Sequence, residues 1–80
     1  MISVKLREAM ESYRRRNGAR LTYELLSEKT GIAVPTLQSL AARPGYNTRL
    51  STIERLCHAL ECTPGDLLEL APEATERNED

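Results

Sequence analysis

The residues best suited to metal, redox or catalytic chemistry are few. Cys57 and Cys62 lie five apart, and His58 stands beside the first. Thiolate and imidazole are good ligands for soft metals, but a structural site needs about four of them. The chain has no second cluster and no further His or Cys. A disulfide does not suit a reducing cytoplasm. The two thiols therefore read as small, buried, unpaired core residues, and His58 as a surface helix residue. No Gly-rich phosphate loop is present, and no nucleophile or carboxylate pair sits in a catalytic motif. The expectation is a protein that is not an enzyme and needs no metal or cofactor. No small-molecule ligand suggests itself.

The other chemistry open to these residues is charge. Residues 1–20 carry six basic groups against two acids, residues 21–50 three against two, and residues 51–80 two against eight, for a net charge of −1. Phosphate contacts supply most of the affinity for nucleic acid, and an acidic total argues against them. Here the acid is gathered at one end, and the local patch matters more than the sum. The run Arg14-Arg15-Arg16 has two readings that stay open. It complements the dipole at a helix C-terminus, or it meets phosphate.

The elements that must hold these side chains are short. Eighty residues make one domain with a small core. With no Phe and no Trp, that core must be built mostly of Leu and Ile. Dimerisation would help to stabilise so small a domain. No apolar run approaches the ~20 residues of a membrane span, and no signal-peptide pattern opens the chain. The expected location is the cytoplasm.

The periodicity predicts helices. Leu6, Met10 and Tyr13 place a first helix from Val4 or Lys5 to Arg16, ended by Asn17-Gly18. Before it, Ile2, Val4 and Leu6 alternate with Ser3 and Lys5, which is strand-like, with the three apolar side chains on one side. Thr22 caps a second helix over residues 23–30, with Leu21 and Leu26 as a hydrophobic staple. Gly31 suits a positive φ just past its end. A third helix runs over residues 34–42, with Pro35 tolerated in its first turn. Ser27, small and on the inner side, lets the two helices cross closely. Arg43 to Arg49 is a loop with Pro44-Gly45 as turn chemistry. Ser51 and Glu54 read as a capping box opening a fourth helix. Its stripe Ile53, Leu56, Cys57, Leu60 is core. Thr63-Pro64-Gly65-Asp66 opens a short fifth helix, buried through Leu67 and Leu68. Glu69 to Ala71 is a short extended piece. Residues 72–80 carry four acids and read as a mobile acidic tail outside a domain of residues 1–71.

Two short helices on a Gly-containing turn match the helix-turn-helix unit. The stretch Leu26-Ser27-Glu28-Lys29-Thr30-Gly31-Ile32, with Leu37 and Leu40 after it, resembles the lambda-repressor/Cro-like (Xre-type) DNA-binding domains. Leu50 to Cys57 and Leu60 to Leu68 are similar to a compact bacterial and phage subgroup of that family. The resemblance spans roughly Ile2 to Leu70. It implies an all-α, five-helix domain, to which a short strand pair is added if the N- and C-terminal edges pair within one chain. The implied function is that of a small sequence-specific transcriptional regulator, repressor-like, with double-stranded DNA as partner.

The resemblance also assigns roles. Val34, Pro35, Thr36, Gln38 and Ser39 would face base edges in the major groove. Thr22 and Tyr23 at the second helix start, and Arg43, Asn47, Thr48 and Arg49 after the third helix, would lie along phosphates. Two departures stand out: Ala33 occupies a cap position where the family often has Ser, and the reading helix has no Arg or Lys, although Arg to guanine is the commonest specific contact. A homodimer is expected because half-sites of this class are read by two-fold pairs, joined through the Ile2-Val4-Leu6 edge or the Leu68–Leu70 segment. The alternative is a protein-interaction module or antitoxin-like protein on the same fold, with weak or no DNA binding. The apolar Val34 and Pro35 and the acidic C-terminal third favour that alternative.

Overall fold

A computed structural model of the chain describes residues 1–43 and 45–70. Five helices and a strand pair follow in order: β1 (Ile2–Val4), α1 (Leu6–Asn17), α2 (Tyr23–Thr30), α3 (Val34–Ala42), α4 (Leu50–Leu60), α5 (Pro64–Leu67) and β2 (Leu68–Leu70). The expected tail from residue 72 onward and the turn at Pro44 lie outside the described residues.

Leucine builds the core. The largest fully buried side chains are Leu6, Leu26, Leu37, Leu40, Leu56, Leu60 and Leu67, at least one from every helix. Burying a leucine contributes about 1.5–3 kcal/mol, so these side chains dominate the packing. α2 packs on α3 and on α4, and α5 closes the other side against α1 and α4.

Helix ends are set by local chemistry. Gly18 (φ +71°) and Gly31 (φ +75°) stop α1 and α2 in the left-handed region, returning N–H groups to Arg14 and Ser27 carbonyls. α4 ends differently. Glu61, a non-glycine residue, takes φ +55°, and the Cys62 N–H reaches back to the Cys57 carbonyl at 3.0 Å. The Arg16 guanidinium covers this end, donating to the Leu60 carbonyl at 3.0 Å and the Glu61 carbonyl at 3.2 Å. That satisfies carbonyls a helix end leaves without partners.

Four expectations are corrected. α4 begins at Leu50 with Arg49 at the cap, and no side chain caps it. Ser51 sits inside the first turn, so the Ser51–Glu54 capping box does not form. A reciprocal box does form at α5, where the Thr63 hydroxyl accepts the Asp66 N–H and the Asp66 carboxylate accepts the Thr63 N–H. The second correction concerns the N-terminal strand, which stops at Val4, with Leu6 already in α1. Third, its alternation is not simply apolar-in: Ser3 is buried and Ile2 is more than half exposed. Ser3 lies on the opposite sheet face from Val4, and its hydroxyl reaches the Glu69 carbonyl. Fourth, Leu68 is half-buried and belongs to β2 rather than α5.

β1 and β2 pair antiparallel within the chain, Ile2 opposite Leu70 and Val4 opposite Leu68. The two segments expected to join copies are thus partners of each other.

The Asp66 carboxyl is held below its ordinary value of 3.8, first by the Thr63 N–H and then by the Thr63 hydroxyl. Because folding lowers this pKa, the carboxylate's contribution is whole above 3.8 and is lost as pH falls through the lowered value. The two caps give a paired test by chemical denaturation at pH 7. Thr63→Ala is expected to lower stability by about 1 kcal/mol, and Ser51→Ala to change it by less than about 0.5 kcal/mol. Equal losses would show that α4 is capped by Ser51 after all.

Candidate nucleic-acid interface

The helix-turn-helix is locked at one buried hydroxyl. Thr30 is the last residue of α2. Its Oγ1 donates to the Leu26 carbonyl at 2.7 Å and accepts the Ile32 N–H at 3.1 Å. Gly31 between them takes the left-handed turn. Ile32 is thereby buried, and the chain enters α3 through an extended Ala33. The Thr36 and Leu37 N–H groups close on the Ala33 carbonyl, and Pro35 sits in the first turn, where no N–H is required. Leu37 and Leu40 are fully buried beneath α3.

What α3 shows outward follows from that anchoring. Pro35 and Gln38 are exposed, while Val34, Thr36 and Ser39 are half-buried. The five side chains assigned to base contact from the sequence therefore split. Gln38 has the longest reach among the exposed ones and can both donate and accept. Val34 is less available than its place in the sequence suggested, which weakens the case for an apolar protein-docking face.

The loop after α3 carries Arg43, Asn47 and Arg49 exposed and Thr48 half-buried. Its shape is partly fixed by Tyr46, whose N–H donates to the Arg43 carbonyl at 2.8 Å. The Arg43 guanidinium stands 5.0 Å from the Tyr46 ring centroid, a cation–π contact. Arg49 then leads into α4, whose first N–H groups meet no side-chain cap. Such a helix start attracts anions.

At the start of α2, the Thr22 hydroxyl accepts the Leu25 N–H at 3.1 Å, as a cap should. Tyr23 is half-buried and packs on the core. The fold sets an open cleft of about 390 Å³ here, with Arg7, Arg14 and Arg20 beside Thr22 and Tyr23. Arg7 and Arg20 lie thirteen positions apart in sequence, and no sequence motif joined them to this helix start. Only the packing of α1 against the core does so.

The Arg14–Arg16 run resolves into different uses. Arg14 binds Glu11 at 2.6 Å, and its guanidinium holds the Glu11 carboxyl below the usual range. Arg16 is spent on the end of α4. Both uses are intramolecular, and they follow from where α1 ends.

The thiols lie apart from this surface. Cys57 is buried and Cys62 half-buried, and both are free thiols. Cys62 is thus less buried than expected, because it sits on the open side of the turn into α5. Burial raises the Cys57 pKa. It pushes Cys62 up to about 11, with the neighbouring Cys57 adding to the effect. His58 is exposed and turns toward Glu54 at 3.8 Å. Among the described residues, no group of three or more His, Cys, Asp or Glu could hold a metal ion.

Residues 15–73 match the family described as the Cro/C1-type HTH DNA-binding domain. The chain is also similar to a protein of Bacillus subtilis (strain 168) named "Uncharacterized HTH-type transcriptional regulator YozG", at 50% identity over 44 residues. That stretch is 55% of this chain and 52% of the relative, so the chain spans about half the length of the curated relative it matches. No solved structure matches the chain significantly.

Thiol chemistry gives the test of this part of the molecule. The thiolate is the reactive form. With its pKa near 11, Cys62 is expected to react slowly with iodoacetamide at pH 7 and about tenfold faster for each pH unit up to 9. Cys57 should lag behind it. Mass spectrometry of timed samples reads both, and complete alkylation within minutes at pH 7 would contradict the assignment.

Proposed function

The chain belongs to the Cro/C1-type helix-turn-helix DNA-binding domain family, and from that premise we propose that it acts as a small repressor-like transcriptional regulator. In this reading α3 enters the major groove, which is wide enough for a helix and displays distinct base edges. The observation that carries the proposal is the Thr30–Gly31–Ile32 lock. It seats Leu37 and Leu40 in the core and leaves Gln38 exposed on the helix the unit presents.

Gln38 supplies most of the sequence preference, by pairing with an adenine edge. Thr36 and Ser39 add single hydroxyl contacts, and Val34 and Pro35 offer apolar contact to a thymine methyl. Phosphates lie along two places. One is the α2 start, with Thr22 and Tyr23 and the adjacent Arg7 and Arg20. The other is the loop with Arg43, Asn47, Thr48 and Arg49. The acidic residues gathered in the C-terminal third belong away from the DNA.

The regulator works as a homodimer, because operators of this class are two-fold symmetric. Its domain spans residues 1–71, and its place is the cytoplasm. No described helix is long and apolar enough to cross a membrane. The family is one of DNA-binding domains, and the reading assigns no enzymatic step.

Selection from a random-sequence DNA library, followed by salt-titrated binding, tests the assignment. Gln38→Ala is expected to weaken binding to the selected site by about 1–3 kcal/mol while leaving random DNA nearly unaffected. Arg43→Gln and Arg49→Gln should each weaken binding to every sequence alike and lower the salt slope by about one unit. If no site is selected and Gln38→Ala changes nothing, the protein-interaction reading takes its place.

A further inference from the structure

We infer that the sheet face and the start of α4 together form a self-association surface, covered in solution by a second copy of this chain across a two-fold axis. The choice of occupant rests on the dimeric DNA-binding reading above; the surface itself rests on burial.

Two apolar stripes overrun the core at the same edge. The register of β1 and β2 places Ile2 opposite Leu70 and Val4 opposite Leu68. Alternation puts all four on one face of the sheet. The inner pair is held by the core: Val4 is 5% exposed and Leu68 packs against it. The outer pair continues the same face into water, with Ile2 55% and Leu70 75% exposed. On α4, Leu50 heads the stripe that runs through Ile53 and Cys57. Ile53 is 5% exposed, but Leu50 is 83% exposed.

The stripes meet. A groove of about 380 Å³ is lined by Met1, Ile2, Tyr46, Leu50, Ile53 and Leu68 among others. Met1 closes one side by packing on Gly45, where its sulfur lies only 2.7 Å from the place a Cβ would take. Among the described residues, six large apolar side chains are exposed, and Leu25 alone of them lies outside this region. The other five leave on the order of 500 Å² of apolar surface in water, the size of the largest apolar patch on a typical monomer, which is often a functional one. Two such patches face to face remove about 1,000 Å², the lower bound for a specific interface and in the range of weak, reversible ones.

A second copy fits this surface better than the other occupants. Residues 71–80, Ala-Pro-Glu-Ala-Thr-Glu-Arg-Asn-Glu-Asp, hold no large apolar side chain and cannot fill an apolar groove. A two-fold axis needs a patch complementary to itself, and a groove lined by apolar and uncharged polar side chains meets that condition, since no like charges oppose each other across it. Tyr46 and Leu50 also flank Asn47, Thr48 and Arg49. Joining two copies here sets their phosphate-facing loops side by side, with one α3 from each copy available to successive half-sites.

Sedimentation velocity over a concentration series reads the outcome. The wild type is expected to pass from the 9.0 kDa chain to twice that mass as concentration rises through the micromolar range. Leu50→Glu places a charge at the centre of the face on both copies and should raise the dissociation constant about 30-fold or more. Because Leu50 is so exposed, its replacement should leave the circular dichroism and thermal midpoint of the monomer unchanged. Leu25→Glu, on the exposed apolar residue elsewhere, should leave the dimer intact. A wild-type dimer that Leu50→Glu does not weaken would overturn this surface and leave the dimeric reading standing on another one. A wild type that stays at one chain mass to millimolar concentration would overturn the surface too. Footprinting of one against two half-sites would then judge the dimeric reading separately. Tighter association after deletion of residues 71–80 would assign the groove to that segment instead.

Discussion

Everything that makes this chain a reader of surfaces depends on the buried Thr30 hydroxyl. It closes the last turn of α2 by donating to Leu26 and opens the turn by accepting from Ile32. A buried N–H left without a partner would cost about 1–3 kcal/mol, so the two bonds hold the turn in one geometry. Gly31 makes that geometry reachable, since a left-handed φ disfavours any Cβ. With the turn fixed, Leu37 and Leu40 drop into the core and the opposite face of α3 has no choice but to point outward. Thr30 therefore fixes which face of α3, with Gln38 on it, is turned to solvent.

The charges are distributed by the same geometry. A run of three arginines invites the idea of a nucleic-acid patch. Yet Arg16 is needed at the end of α4, where Glu61 adopts a left-handed conformation without the help of a glycine. Arg14 is engaged with Glu11. The cleft at the α2 start instead gathers Arg7 and Arg20 around Arg14, residues spread over the whole first helix and the segment after it. A patch of potential is a property of the folded surface. In this domain it is assembled from positions that no local motif connects.

The core explains both the economy and the incompleteness of the molecule. With no Phe or Trp, it relies on interdigitated leucines, and it ends before the apolar stripes of the sheet and α4 do. A small domain buries a lower fraction of its surface than a large one. The strand pair adds a lid over α5 and α4 without adding enough volume to cover Ile2, Leu50 and Leu70. An apolar edge of that kind is left in water only at some cost.

Much of this was legible in the sequence because it is decided locally. Helix spacing, Thr22 and Thr63 as caps, Gly18 and Gly31 as stops, and the buried Leu37 and Leu40 all follow from period and turn chemistry. Residues within a few positions of one another set these features, so short-range rules suffice. The motif Leu26 to Ile32 carried the family as well, since its residue types are those the locked turn requires. Other features were decided only by tertiary structure. Ser51 has the right spacing for a capping box, but Arg49 takes the extended cap conformation and α4 starts two residues early. Ile2, Val4 and Leu6 alternate like a strand. The chain nevertheless turns into α1 after Val4, with the Lys5 N–H donating to the Leu67 carbonyl at 2.7 Å as α5 gives way to β2. Which of the outward residues of α3 are free, and which arginines are spent inside the molecule, depend on neighbours far away in sequence. Periodicity says which face of a helix is apolar. Only the packed fold says what lies against the other face.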